Sequence, residues 1–509
     1  MRPRPVPAAL ALLLALFAAG RAAGGTAAAA PPSLPVLAVD PLPRGIVVES
    51  PADVLPHWVA QGVTGAVLLL IDASAGLHDI SPENVTALKA LQVRGDVEGL
   101  FRAGHSGVAG VFHEWNWLRA ASVLGVVREM TWIVPFPVPD GDDVGEDLKG
   151  FLGTVGLSAG EIASFRPADG CFRGLVGELQ AAICSVDRFP RAAAPVVLSV
   201  GAEYFSSSAR VHGHTELAAI RRLFTALRET RYEVKDAVLV SAMEQGDWPV
   251  ELRWLGEVVM EALGDPALVV RDEPPERWNV LQRLSLLRLE GAAGEAELLD
   301  FGLSLLEKDP HNSALLLFAA LASADHGGGS AALSYAEQAC SVDPGYCVGL
   351  RELGLQFCRK GDFETGGRFL DSAERLRPGM TYRQYDVGIA LWGAGRTAEA
   401  LDALGKVVSR QGASPAGFVV GAMQAALGDR AAARRSFDGA VAALGQLRSM
   451  IVTRKEVGDA IVRAAAFYRE EGLAEKAQAL ESDPRLRWEL PAPEPPPAPP
   501  MAPAPPSAP

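Results

Sequence analysis

The side chains able to do chemistry in this chain collect where apolar runs stop. VLLLI is followed by Asp72, Ser74 and Gly76, and VVLSV by Gly201 and then Glu203. His113, Glu114 and Asn116 follow GVAGVF, and Glu244 comes shortly after VLV. Carboxylates and imidazoles converging at neighbouring strand ends are a donor set that can bind a divalent metal ion and activate a water. The set here is thin. Asp72 and Glu203 are the carboxylates here, while Ser74, Gly76 and Gly201 contribute one hydroxyl between them, so no bound metal is expected. His113, Glu114, Asn116 and Glu244 are read first as hydrogen-bonded strand-end residues and second as the lining of a pocket. His212 and His214 form an H-x-H pair, which offers a metal two ligands and needs more. Neither a G-x-G-x-x-G fingerprint nor a Walker loop occurs, so dinucleotide and nucleoside triphosphate chemistry lack support and no cofactor is expected.

Charge and composition narrow the partners. The 509 residues carry 61 acidic against 47 basic side chains, a formal charge of −14 that disfavours gripping nucleic acid or anionic lipid. Apolar residues at 49% and charged residues at 21% are ordinary globular usage, so most of the chain is expected to fold. Five cysteines are too few for a disulfide scaffold in a chain this long, and an odd number leaves one over. Cys171 and Cys184 bracket a short segment and could pair in an oxidising compartment. Buried small hydrophobes are the preferred reading of all five, since none has a metal-ligand spacing.

The elements that must position these residues fall into tracts. Residues 1–25 place Arg2 and Arg4 ahead of an apolar stretch from Ala8 to Ala19, followed by small residues. This reads as an export signal, too short to span a bilayer, and implies an exported protein with no membrane span in the mature chain; alanine-rich, arginine-over-lysine usage suggests a bacterium and hence a periplasmic or extracellular address. A linker at 26–35 follows. From 36 to 270, apolar blocks (GIVVES, GAVLLLIDAS, GVAGVFHE, EMTWIVPF, APVVLSVGA, DAVLVSAM) alternate with helical stretches expected at Pro82 to Gln92, Trp115 to Val127, Val176 to Ile183 and Glu216 to Glu229. Strands apolar on both faces alternating with helices describe an open α/β sheet with parallel strands. In such a sheet ligands bind beyond the carboxyl ends of the strands.

After a second linker at 271–278, residues 279–484 read as helices alone, with an internal repeat. Pro310, Pro344 and Pro378 are evenly spaced, as are Ala320, Gly354 and Gly388, then Gly327, Gly361 and Gly395, then Ala332, Gly366 and Ala400. A further copy, one residue shorter, supplies Gly421, Gly428 and Ala433. A small residue where two helices cross and a Pro closing the unit resemble the tetratricopeptide repeat. That resemblance implies an all-α solenoid whose concave face binds a protein or peptide. The tail, 485–509, holds 11 of the chain's 37 prolines between 491 and 509 and favours polyproline II over helix or sheet.

Read in order, VVESPADVLPHW, VLLLIDASAGL, FHEWNWLRAASVLGVVREMTWIVP, PVVLSVGAEYF and VLVSAMEQGDW resemble the arginase-like proteins of the ureohydrolase superfamily. The resemblance implies a D-x-H-x-D cluster after one strand and a D-x-D pair after a later one. This chain departs from it at Ser74, Gly76 and Gly201, and has Glu49, Ser50 and Pro51 where some relatives place a further His. The expectation is therefore an exported, non-catalytic adaptor: a metal-depleted arginase-like domain carrying a peptide-binding solenoid. The alternative is a hydrolase of C–N bonds, in an amide or guanidino-like substrate, with a rearranged site.

Overall fold

The structure, a computed structural model, describes residues 45–105, 111–138, 145–190, 195–230, 232–241, 249–270, 274–289, 295–377, 383–411, 416–446 and 455–482. The expected export signal, the linker at 26–35, Glu244 and the proline-rich tail lie outside these residues.

Eight strands form one sheet: β1 (Gly45–Val48), β2 (Ala66–Ile71), β3 (Val127–Val134), β4 (Arg166–Ala168), β5 (Cys171–Val176), β6 (Leu179–Ser185), β7 (Val196–Gly201) and β8 (Val234–Val240), in the order β1-β8-β7-β2-β3-β6-β5-β4. From β1 across to β6 every neighbouring pair is parallel, whereas β6-β5 and β5-β4 are antiparallel. The sheet is thus mostly parallel, not wholly so. Two expected elements differ. The stretch Val176 to Ile183, read as a helix, is instead the end of β5, a turn at Gly177 and most of β6. The described part of GVAGVFHE, from Val111 onward, is loop and turn instead of strand.

Alternate residues of the central strands feed two cores. Val67, Leu69 and Ile71 of β2 face the layer built on Tyr204, Phe205, Leu223 and Leu255. Leu68 and Leu70 face the opposite layer, with Trp58, Leu88, Leu118 and Trp132. Both faces are covered, which is why the strands read as unbroken apolar runs. Helices stand at Pro82–Val93, started by Ser81 accepting from the Asn84 amide, at Trp117–Val123 and at Glu216–Thr230.

From Glu276–Leu289 onward the described elements are helices, apart from a short 3-10 turn at Pro344–Tyr346. They form hairpins: Ser313–Asp325 with Gly329–Val342, Cys347–Arg359 with Phe363–Leu376, Arg383–Gly393 with Thr397–Gln411, Ala416–Ala426 with Arg430–Gln446, and Lys455–Glu470 with Ala474–Ser482. The turn inside each hairpin holds a left-handed glycine, Gly327, Gly361, Gly395, Gly428 and Gly472, with φ between +75° and +87°. After Gly361, for example, the Asp362 amide returns to the Phe357 carbonyl at 3.0 Å, and the same bond recurs after Gly395 and Gly428. Such a closure uses the left-handed region that glycine enters without penalty.

Small residues permit the helix crossings. A Cβ on Gly354 would lie 2.9 Å from Leu370 Cγ, one on Gly388 2.5 Å from Leu404 Cγ, and one on Gly421 2.6 Å from Phe437 Cδ1. Ala332, Ala400 and Ala433 are fully buried in the second helices.

The first core does not stop at the sheet. It runs from β2 and β7 through Leu255 and Trp278 into Leu281, Leu317, Tyr346 and Phe357 of the helical tract, while a separate core serves the helices from Leu391 to Leu480. Contrary to the preferred reading of the cysteines, Cys171–Cys184 and Cys340–Cys347 are disulfides, with Cα–Cα separations of 4.6 and 4.4 Å. Cys358 is buried and belongs to neither bridge. Among the described residues no helix is long and apolar enough to cross a membrane.

Candidate functional site

Chain order reverses direction between β2 and β7: from β2 the chain moves to β3 on one side, and from β7 to β8 on the other. That reversal creates the crevice where open α/β sheets bind ligands. Ile71 is level with Val200, so the next residues, Asp72 and Gly201, end neighbouring strands. Glu203 opens the helix Glu203–His212 directly after β7.

Between these two strand ends the Asp72 side chain lies over Gly201. Asp72 is 8% exposed, and a Cβ on Gly201 would lie only 2.5 Å from its Oδ1. The carboxyl group therefore rests on the Gly201 backbone in the space a side chain there would need. Burial first, and the negative Glu203 second, push Asp72 up to about 8 from 3.8, against the opposing pull of the Ser74 and Ala73 amides. Its main-chain oxygen accepts the Trp132 indole N–H at 2.9 Å, which fixes the strand end. Gly76 has φ +54°, and a Cβ there would meet Trp117 Cδ1 at 2.6 Å.

The remaining sequence-derived residues are held in contacts of their own. Asn116 is buried, and its Oδ1 accepts the His113 amide at 2.7 Å. The Trp115 carbonyl accepts the His78 amide at 3.0 Å, so the loops after β2 and before Trp117–Val123 are stitched to each other. Glu49 is occupied elsewhere: Arg253 donates to its Oε1 at 2.9 Å and the Ser241 hydroxyl to its Oε2. Ser50 caps the short turn Pro51–Asp53. His212 and His214 stack at 5.6 Å between ring centroids, and no group of three His, Cys, Asp or Glu able to hold a metal occurs among the described residues.

Two features run against the expectations from sequence, which included no hydrolase motif and no groove residues; the first is in the sequence itself. Gly156, Ser158 and Gly160 spell G-x-S-x-G, the signature of a hydrolase nucleophile elbow. Ser158 instead starts the one-turn helix Ala159–Ile162, its hydroxyl bonded to Glu161 Oε2 at 2.9 Å in a capping box, and Glu161 in turn holds Arg119 at 2.7 Å. No imidazole partner is bonded to that hydroxyl among the described residues, so the motif here is a helix start.

The second feature is a cleft of about 530 Å³ in the helical tract, lined by Arg359, Ile389, Ala390, Trp392, Gly393, Ala394, Asp459 and Arg463. Its walls come mainly from the first helices of three hairpins, Cys347–Arg359, Arg383–Gly393 and Lys455–Glu470. The Arg463 guanidinium lies 5.3 Å from the centroid of the Trp392 ring. Among the described residues neither Arg359 nor Arg463 is paired with a carboxylate. The signal available in the sequence was an aromatic and two cations on first helices of the repeat, Trp392 being only partly taken up by the core.

A mostly parallel α/β sheet sharing its core with a run of helical hairpins defines the class of protein. No family model matches the chain, and no curated protein matches it. Among solved structures it is similar to a monomeric mutant of IFIT1 with Gppp-AAAA, at 14% identity and a TM-score of 0.24, the match covering 54% of this chain and 66% of that one.

Proposed function

We propose that this protein is an exported, non-catalytic scaffold that binds a protein or peptide in the cleft of its helical tract. The observation that carries the reading is the cleft itself: about 530 Å³ across three helical hairpins, with Trp392 and two guanidiniums on its walls. An extended peptide needs such a groove, with an aromatic anchor and charged groups to set orientation. The burial of Asp72 against Gly201 supports the same reading, because the Asp72 carboxyl takes the place a ligand side chain at 201 would need. In this view the α/β unit is a platform descended from an arginase-like domain that has lost its metal ligands.

A second reading, hydrolysis of a C–N bond in an amide or guanidino-like substrate, draws on one observation: Asp72 keeps its proton near neutrality at a strand switch point. A neutral carboxyl group there has the chemistry of a general acid. Asp72→Asn would abolish such an activity and leave peptide binding intact.

Display selection tests the scaffold reading. A peptide library is panned against the chain ending at Arg487 and, in parallel, against the same chain carrying Trp392→Ala. Binders that compete with one another and lose the variant are expected. A library that yields none, or binders indifferent to Trp392, would overturn the proposal.

A further inference from the structure

The cleft has a basic cast in an acidic molecule. Arg359 and Arg463 face one carboxylate, Asp459, in a chain whose formal charge is −14. An occupant that suits it is acidic, extended and able to lay flat apolar surface on an indole. The chain itself contains such a segment. Residues 488–509, WELPAPEPPPAPPMAPAPPSAP, carry two charged side chains, Glu489 and Glu494, both negative, among closely spaced prolines. Their composition favours the polyproline II helix, which aromatic-lined grooves recognise through proline rings.

Position favours the same segment. The last described helix, Ala474–Ser482, folds back along Lys455–Glu470, the helix that carries Asp459 and Arg463. With a rise of about 1.5 Å per residue, its end comes about level with Arg463, roughly one helix diameter away. Residues 483–487 can span about 17 Å, more than the diameter of one helix.

We propose that the segment 488–509 docks in cis in the cleft lined by Arg359, Trp392 and Arg463, as an internal ligand that an external peptide must displace. The inference rests on the peptide-binding reading above. Tethering through a short linker gives an effective concentration of about 1 mM. A segment with intrinsic affinity in the tens of micromolar therefore fills the cleft almost completely, and lowers the apparent affinity of a competitor at least about tenfold.

The test uses a fluorescein-labelled peptide of residues 488–506 and two forms of the protein, the full chain and the chain ending at Arg487, read by fluorescence anisotropy. The shortened chain should bind the peptide, and the full chain should bind it at least about tenfold more weakly. A peptide with both glutamates replaced by lysine should lose affinity for the shortened chain, a comparison that leaves the protein unaltered. Trp392→Ala in the shortened chain should also abolish binding. Absence of peptide binding by the shortened chain, equal affinity in the two forms, or indifference to the glutamate reversal each overturns the proposal. So does tail-dependent dimerisation of the full chain in sedimentation, which would make a second copy the source of the occupant. Library peptides that bind the shortened chain while the 488–506 peptide does not would defeat this inference alone; failure of both would defeat the peptide-binding reading as well.

Discussion

Two neighbouring glycines in one helix should respond to alanine with opposite signs. Gly366 and Gly367 both lie within Phe363–Leu376, where replacing glycine by alanine stabilises a helix by up to about 1 kcal/mol through backbone entropy. A Cβ on Gly367 would meet nothing within 4 Å, so that gain should be realised. A Cβ on Gly366 would lie 2.5 Å from Cys358 Sγ, 2.7 Å from the Gly354 carbonyl oxygen and 3.0 Å from the Cys358 amide nitrogen. Two of those atoms are backbone of the partner helix and cannot rotate away. Overpacking of this kind costs about 1 to 3 kcal/mol, and more when the backbone itself must move. Against the propensity gain, Gly366→Ala should lose about 1 to 2 kcal/mol net. The pair can be compared by urea unfolding followed by circular dichroism, with the shift in midpoint relative to the unaltered chain as the reading. Stabilisation by both substitutions, or equal loss from both, would refute the close crossing between Cys347–Arg359 and Phe363–Leu376.

The Asp72 carboxyl should make stability fall as pH rises. Between its unfolded value of 3.8 and its folded value of about 8 the unfolded chain releases a proton that the folded chain keeps, so the loss accrues across that window and levels off above it. Asp72→Asn should flatten the profile of melting temperature against pH, matching the unaltered chain near pH 4 and exceeding it near pH 8; a parallel profile would contradict the burial argument. Restoring metal-ligand types with Ser74→His, Gly76→Asp and Gly201→Asp should destabilise the protein without conferring a thermal upshift in Mn²⁺, because the new side chains at 76 and 201 collide with Trp117 and Asp72. Saturation at about 100 times Kd would add roughly 2.7 kcal/mol, so an upshift would be plain and would reverse this conclusion. Mass spectrometry after alkylation without reductant should find Cys171–Cys184 and Cys340–Cys347 closed and one thiol elsewhere, and reduction should cost about 3 kcal/mol for the larger loop; full labelling of the unreduced, unfolded protein would disprove the bridges.

What the sequence determined by itself was local. The left-handed glycines of the hairpin turns, the small residues at helix crossings and the repeat interval all act over a few tens of residues, so their spacing exposes them without knowledge of the fold. The buried parallel strands were legible for a related reason: covering both faces demands an unbroken apolar run. The hairpin of β5 and β6 was not. LVGELQAAICSV spaces its apolar residues in a way that suits a helix as well as a strand buried on both sides, and pairing of β6 with distant β3 decides between them. Cysteine spacing did not reveal pairing, because a bridge depends on where two chain segments meet. Gly201 shows the limit most sharply. In the sequence it is a missing ligand; in the fold the Asp72 side chain occupies the place where a ligand would stand. The shared core of sheet and helical tract likewise arises only in three dimensions, since an apolar residue on an outer helix face reads the same whether it meets solvent, a partner or, as at Leu281 and Leu317, another part of its own chain.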